Sequence, residues 1–154
     1  MTFYLAALLL GVIAGLRAVT PVAAVSWAAS LGILKLTGTP LAFLGAAITP
    51  WVVTLIAAGE LFNDKLPKTP SRKVPIQFGG RIVTGGLAGA AVGLSAGALI
   101  PGVVLGVIGA VIGTLGGAWA RGRLAAAFGR DLPAALVEDV VAVGGAALVV
   151  AYLL

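Results

Sequence analysis

From Phe3 to Leu34 the chain carries one charged side chain, Arg17, in the stretch GLRAVTP. This apolar run constrains the fold more than anything else in the sequence. As a single α-helix it would extend about 48 Å at 1.5 Å per residue, well past a hydrocarbon core of about 30 Å. A break at Arg17 removes the excess, and Thr20-Pro21 reads as an N-cap followed by proline in the first turn of a new helix. The rest of the chain is of the same kind. With 60% hydrophobic and 10% charged residues, 154 residues cannot cover a water-soluble globule with polar side chains. The expectation is an all-α polytopic membrane helix bundle, a single integral membrane domain over residues 1–154.

Proline, glycine and charge divide the chain into about six hydrophobic segments. They cover 2–16, 20–34, 40–62 with a kink at Pro50, 80–100, 101–128 and 133–154. The only substantial polar loop is ELFNDKLPKTPSRKVP, and no basic leader region precedes the first segment. With the N-terminus outside, the positive-inside rule puts Arg17, Lys65, Lys68, Arg72, Lys73, Arg81, Arg121, Arg123 and Arg130 on the cytoplasmic side, leaving only Lys35 outside. Clustered at segment ends with few aromatic neighbours, these cations report topology rather than nucleic acid. Gly85, Gly89, Gly93 and Gly97 share one helix face, and Gly109, Gly113 and Gly117 another. Such faces bring helix backbones together, within the chain or in a homo-oligomer, with a dimer as the first expectation.

GLRAVTP has an echo at residue 79, GGRIVTG, and DKLP at 64–67 is matched by RDLP at 130–133. The two stretches suggest a duplicated two-helix hairpin, about 15–67 and 79–133, with pseudo-two-fold symmetry and flanking helices 2–16 and 133–154. Each copy would place an arginine three residues before a capping threonine, Arg17 with Thr20 and Arg81 with Thr84. Two guanidiniums and two helix N-termini would then converge on one anion-binding region. Glu60 and Asp64, four residues apart on one helix face, complete the candidate ligand-binding set. Arg121, Glu138 and Asp139 are possible charge partners, and buried salt bridges among all these groups are the competing structural reading.

Chemistry is limited by what is missing. Without histidine or cysteine, imidazole catalysis, thiol nucleophiles and the common soft metal ligands are absent. There is also no phosphate-loop, hydrolase or dinucleotide fingerprint. Neither a cofactor nor a metal site nor an enzyme is expected. The stretches GLRAVTPVAAVSWAA, GELFNDKLPKTPSR, RIVTGGLAGAAVG and GTLGGAWARGRL followed by DLPAALVEDVVAVGG resemble small bacterial membrane proteins grouped as domain of unknown function 4126. The resemblance covers nearly the whole chain, with E-x-x-x-D-K-x-P-x-x-P its most specific element. It implies a multi-pass protein of the bacterial inner membrane with basic cytoplasmic loops, and it implies no activity.

The leading functional expectation is a small transport protein, channel or carrier, for a small ion or metabolite of anionic character bound at the paired arginines. The alternatives are a non-catalytic membrane scaffold or lipid-headgroup module, for which Arg72 and Lys73 matter most, and an intramembrane lipid-phosphate enzyme using Glu60 and Asp64. Membrane lipids are partners in every case.

Overall fold

The computed structural model describes residues 1–154. It is all-α, with six helices and no strand: α1 (Thr2–Leu16), α2 (Thr20–Ser30), α3 (Thr49–Asn63), α4 (Pro75–Ser95), α5 (Leu99–Phe128) and α6 (Asp131–Leu153). α1 ends where the charge at Arg17 interrupts the apolar pattern. Residues 40–62 do not form one kinked helix. They divide into a short 3-10 turn, Ala42–Gly45, and α3, where Pro50 lies in the first turn and so costs no hydrogen bond. α4 begins at Pro75, five residues before the expected start, so that Gly79, Gly80 and Arg81 are inside a continuous helix.

Glycine contacts fix how the helices run. Gly11 faces Gly106 and Gly15 faces Gly113, so α1 and α5 are parallel; Gly85 faces Gly106 and Gly89 faces Gly102, so α4 and α5 are antiparallel. α2 and α3 are antiparallel as well, Val19 meeting Glu60 and Trp27 meeting Thr54. The helices therefore alternate in direction. One end, the loop end, gathers the elbow at 17–19, the segment 64–74 and the α5–α6 turn, where Gly129 takes φ +70°. The opposite end holds both termini, residues 31–48 and the α4–α5 turn, and there the Lys35 amide donates to Ser95 Oγ at 3.0 Å.

A β-carbon added at Gly11, Gly15, Gly89, Gly106, Gly109 or Gly113 would overlap the backbone of the neighbouring helix. Three helices, α1, α4 and α5, thus meet backbone to backbone, the close approach that small residues permit. The glycine faces behind the dimer expectation are consumed within the chain, and no pore runs between them. Gly97 is the exception: it forms the α4–α5 turn at φ +70°.

The interior is an apolar core that also holds charge, and the outer surface is rich in large apolar side chains. Arg17 is the largest fully buried side chain, while Leu55, Ile76, Ile100, Val140 and Tyr152 are more than 70% exposed. α5, at 30 residues, and α6, at 23, are long and apolar enough to cross a membrane. α1 is apolar but has only 15 residues, about 22 Å of helix.

Candidate functional site

The elbow between α1 and α2 organises the loop end. A helix that stops at Leu16 leaves carbonyl acceptors unpaired, and one that starts at Thr20 leaves amide donors unpaired. The chain supplies a charge of the right sign to each. Arg81 Nη1 donates to Gly15 O at 2.8 Å, and Glu60 accepts from the Ala18 and Val19 amides at 2.7 and 2.8 Å. A cation at a helix C-terminus and an anion at an N-terminus both oppose the helix dipole favourably.

The threonines do not cap. Val19 occupies the N-cap of α2, and the Thr20 hydroxyl is buried without a hydrogen-bond partner. Thr84 lies within α4 and donates back to Gly80 O and Arg81 O, the usual way a mid-helix threonine satisfies itself. The repeated G-x-R-x-V-T frame thus adopts two conformations, a break around Arg17 and an unbroken helix around Arg81.

Arg17 lies in a shell of carboxylates. Nε donates to Asp139 Oδ1 at 2.7 Å, and Nη1 lies 2.8 Å from Asp64 Oδ2. Nη2 makes ionic contacts with Asp139 at 2.6 Å and Glu138 at 3.4 Å. Lys65 pairs with Asp139 in turn, while Arg72 holds Glu138 through both nitrogens, Nη2 at 2.7 Å. Arg121 joins Asp64, Glu138 and Asp131. Four cations (Arg17, Lys65, Arg72, Arg121) thus meet four carboxylates (Asp64, Asp131, Glu138, Asp139), and the network is neutral. Burial alone would raise the Asp64 carboxyl, but the hydrogen bond from Arg121 and the charges of Arg17 and Arg121 outweigh it and hold the group below its ordinary value.

Arg17 and Arg81 are both buried at the loop end; carboxylates surround Arg17, while Arg81 has the Gly15 carbonyl on Nη1 and a buried Nε without a hydrogen-bond partner. Glu60 and Asp64, though four apart, do different work, one on backbone amides and the other on two arginines. Arg121, Glu138 and Asp139 are charge partners, as the sequence suggested.

Three participants escaped sequence reasoning: Lys65, Arg72 and Asp131. Arg72 belongs to the polar loop, yet it is 8% exposed and pairs with a residue 66 positions away. Nothing local signals that pairing. Asp131 had a readable signal, its place at the start of α6 just after a glycine turn and ten residues from Arg121.

Five members of the network, Asp64, Lys65, Arg72, Arg121 and Asp131, line an open cavity of about 510 Å³ at the loop end. Thr69 and Ser71 add to its polar lining, and DKLP together with Asp131 and Leu132 of RDLP borders it. A second cavity, about 630 Å³ between α2, α3 and α6, is almost wholly apolar, with Trp27 and Thr54 in its wall. Trp27 donates to Thr54 Oγ1 at 3.0 Å and meets Trp51 edge to face at 4.9 Å, locking α2 to α3. No protein-family model, curated protein or solved structure matches the chain.

Proposed function

We propose that this protein is a small multi-pass membrane carrier that takes a small anionic ion or metabolite from the loop end, with the cavity above the ion network as its binding region. The six alternating helices are read as crossings of a bacterial inner membrane with the loop end cytoplasmic. The resemblance to the 4126 group and the apolar outer surface support that reading. The observation that carries it is the cavity itself, a polar vestibule whose cations Lys65, Arg72 and Arg121 stand over ionisable groups buried in an apolar bundle. Ionisable residues at such depth are costly and usually serve a pathway or a site. Closure of the glycine seam between α1, α4 and α5 favours a carrier over an open channel. Short, interrupted helices such as α2 and α3 suit rearrangement around a site.

Purified protein in liposomes tests this, with flux measured for a panel including phosphate, acetate and chloride. Lys65→Gln and Arg121→Gln, with helicity retained, are expected to cut flux of the accepted anion tenfold or more. No flux of any anion, or flux indifferent to both changes, overturns the reading.

A second reading, a non-catalytic lipid-headgroup module or scaffold, has one observation in its favour. Lys68, Lys73, Arg123 and Arg130 have no carboxylate within ion-pair distance, while the chain's five carboxylate side chains all have other partners. Of the two residues expected for this role, Arg72 is buried on Glu138 and Lys73 is free, so on this reading Lys73→Gln with Lys68→Gln reduces retention of anionic lipid, and no solute moves.

A further inference from the structure

Arg121 lines the vestibule. Its inner nitrogen, Nη1, serves Asp64 and Glu138. The outer edge, Nε and Nη2, is filled by the two oxygens of Asp131 at 2.9 and 2.6 Å, a bidentate fork. Asp131 differs from every other carboxylate in the network. Its side chain is 61% exposed, against 16% for Asp64, 14% for Asp139 and 6% for Glu138. Arg121 is its only side-chain partner, and it starts α6 directly after the Gly129 turn. Its own charge stays solvated when it rotates away from Arg121, whereas Asp64, Asp139 and Glu138 are held inside.

We infer that Asp131 is a built-in occupant of an anion site, and that the site's ligand carries a carboxylate or a phosphate which replaces Asp131 on the outer edge of Arg121. Two physical constraints select that chemistry. The fork of Nε and Nη2 matches two oxygens on one centre, which carboxylates and phosphates share. The network beneath is neutral only while one negative charge sits there, so a cation or a neutral polar ligand would leave Arg121 under-compensated next to apolar helices. This inference rests on the vestibule being the binding region and adds its specificity device: Asp131 lowers affinity for every anion and admits only those that match the fork.

The test uses full-length protein in zwitterionic phosphatidylcholine nanodiscs, with inorganic phosphate and acetate titrated calorimetrically. Asp131→Asn is expected to bind phosphate, acetate or both at least tenfold more tightly than wild type. Asp131→Glu should stay near wild type, and adding Arg121→Gln to Asp131→Asn should abolish the gain. Discs containing phosphatidylglycerol distinguish a lipid headgroup from a free anion, because a bound headgroup would suppress phosphate binding to Asp131→Asn. If Asp131→Asn keeps its helicity and binds no more tightly than wild type, the occupant role is overturned. The vestibule then survives only if Lys65→Gln still weakens wild-type binding. Absence of binding by both wild type and Asp131→Asn overturns the occupant role and the vestibule reading together.

Discussion

Glu60 and Arg81 act on the two sides of one chain break, and their effects are separable. Glu60→Gln keeps an acceptor oxygen for one amide but removes the charge that serves two. Hydrogen bonds to charged groups are worth about 1.5–3 kcal/mol each, so a loss of about 1–3 kcal/mol is expected in denaturation followed in mixed micelles. An unchanged midpoint would show that the elbow is held by packing alone. Asp64 contributes to the pH dependence. Because its folded carboxyl lies below the ordinary value, the stability it contributes is complete above the unfolded value of about 3.9 and disappears as pH falls through the folded one. Melting temperature measured between pH 6 and 3 should therefore fall more steeply on the acid side in wild type than in Asp64→Asn. Equal acid limbs would assign that dependence to other carboxylates.

At the level of helices, the glycines divide into those that touch another backbone and those that do not. Gly113→Ala puts a methyl into the Val12 backbone and should cost about 1–3 kcal/mol, the usual range for overpacking. Gly116→Ala meets open space and should be neutral or mildly stabilising, since alanine is the better helix former. Equal effects at the two positions would mean that α1 does not lie against α5. The boundaries of α1 were legible because a lone charge ends an otherwise uniform apolar run, and α5 and α6 were legible within two residues because Pro101 and Pro133 lie in their first turns. α3 was misread because Pro40 and Pro50 are both acceptable helix starts, and local sequence cannot choose between them. The start of α4 was hidden by Gly79-Gly80, which reads as a break in water yet stays helical here. In the network, the residue types paired with Arg17 could be anticipated from charge; the reach of Arg72 to Glu138 depends on the tertiary fold.

For the molecule as a whole, the cations left over after internal pairing have a sidedness that can be measured. Lys68 belongs to the loop end and Lys35 to the opposite end, and the chain has no cysteine to interfere. Single cysteines at these positions should react with a membrane-impermeant maleimide from opposite faces of sealed inverted vesicles, Lys68→Cys from outside and Lys35→Cys only after permeabilisation. Labelling of both from one face would contradict the proposed crossing of a membrane by the alternating six-helix arrangement. That arrangement depends on a charge balance in an apolar bundle, in which Arg17 is tolerated because the chain's own carboxylates surround it. A double-mutant cycle between Arg17 and Asp139 tests this most directly, with Arg17→Met, Asp139→Asn and the pair compared by denaturation in micelles. Removing one member of a buried ion pair typically costs about 3–5 kcal/mol, because the other is left uncompensated. The expected result is that the double variant loses far less stability than the two single losses added together. Losses that simply add would mean that Arg17 and Asp139 do not compensate one another, and the neutral network would not be what holds the elbow.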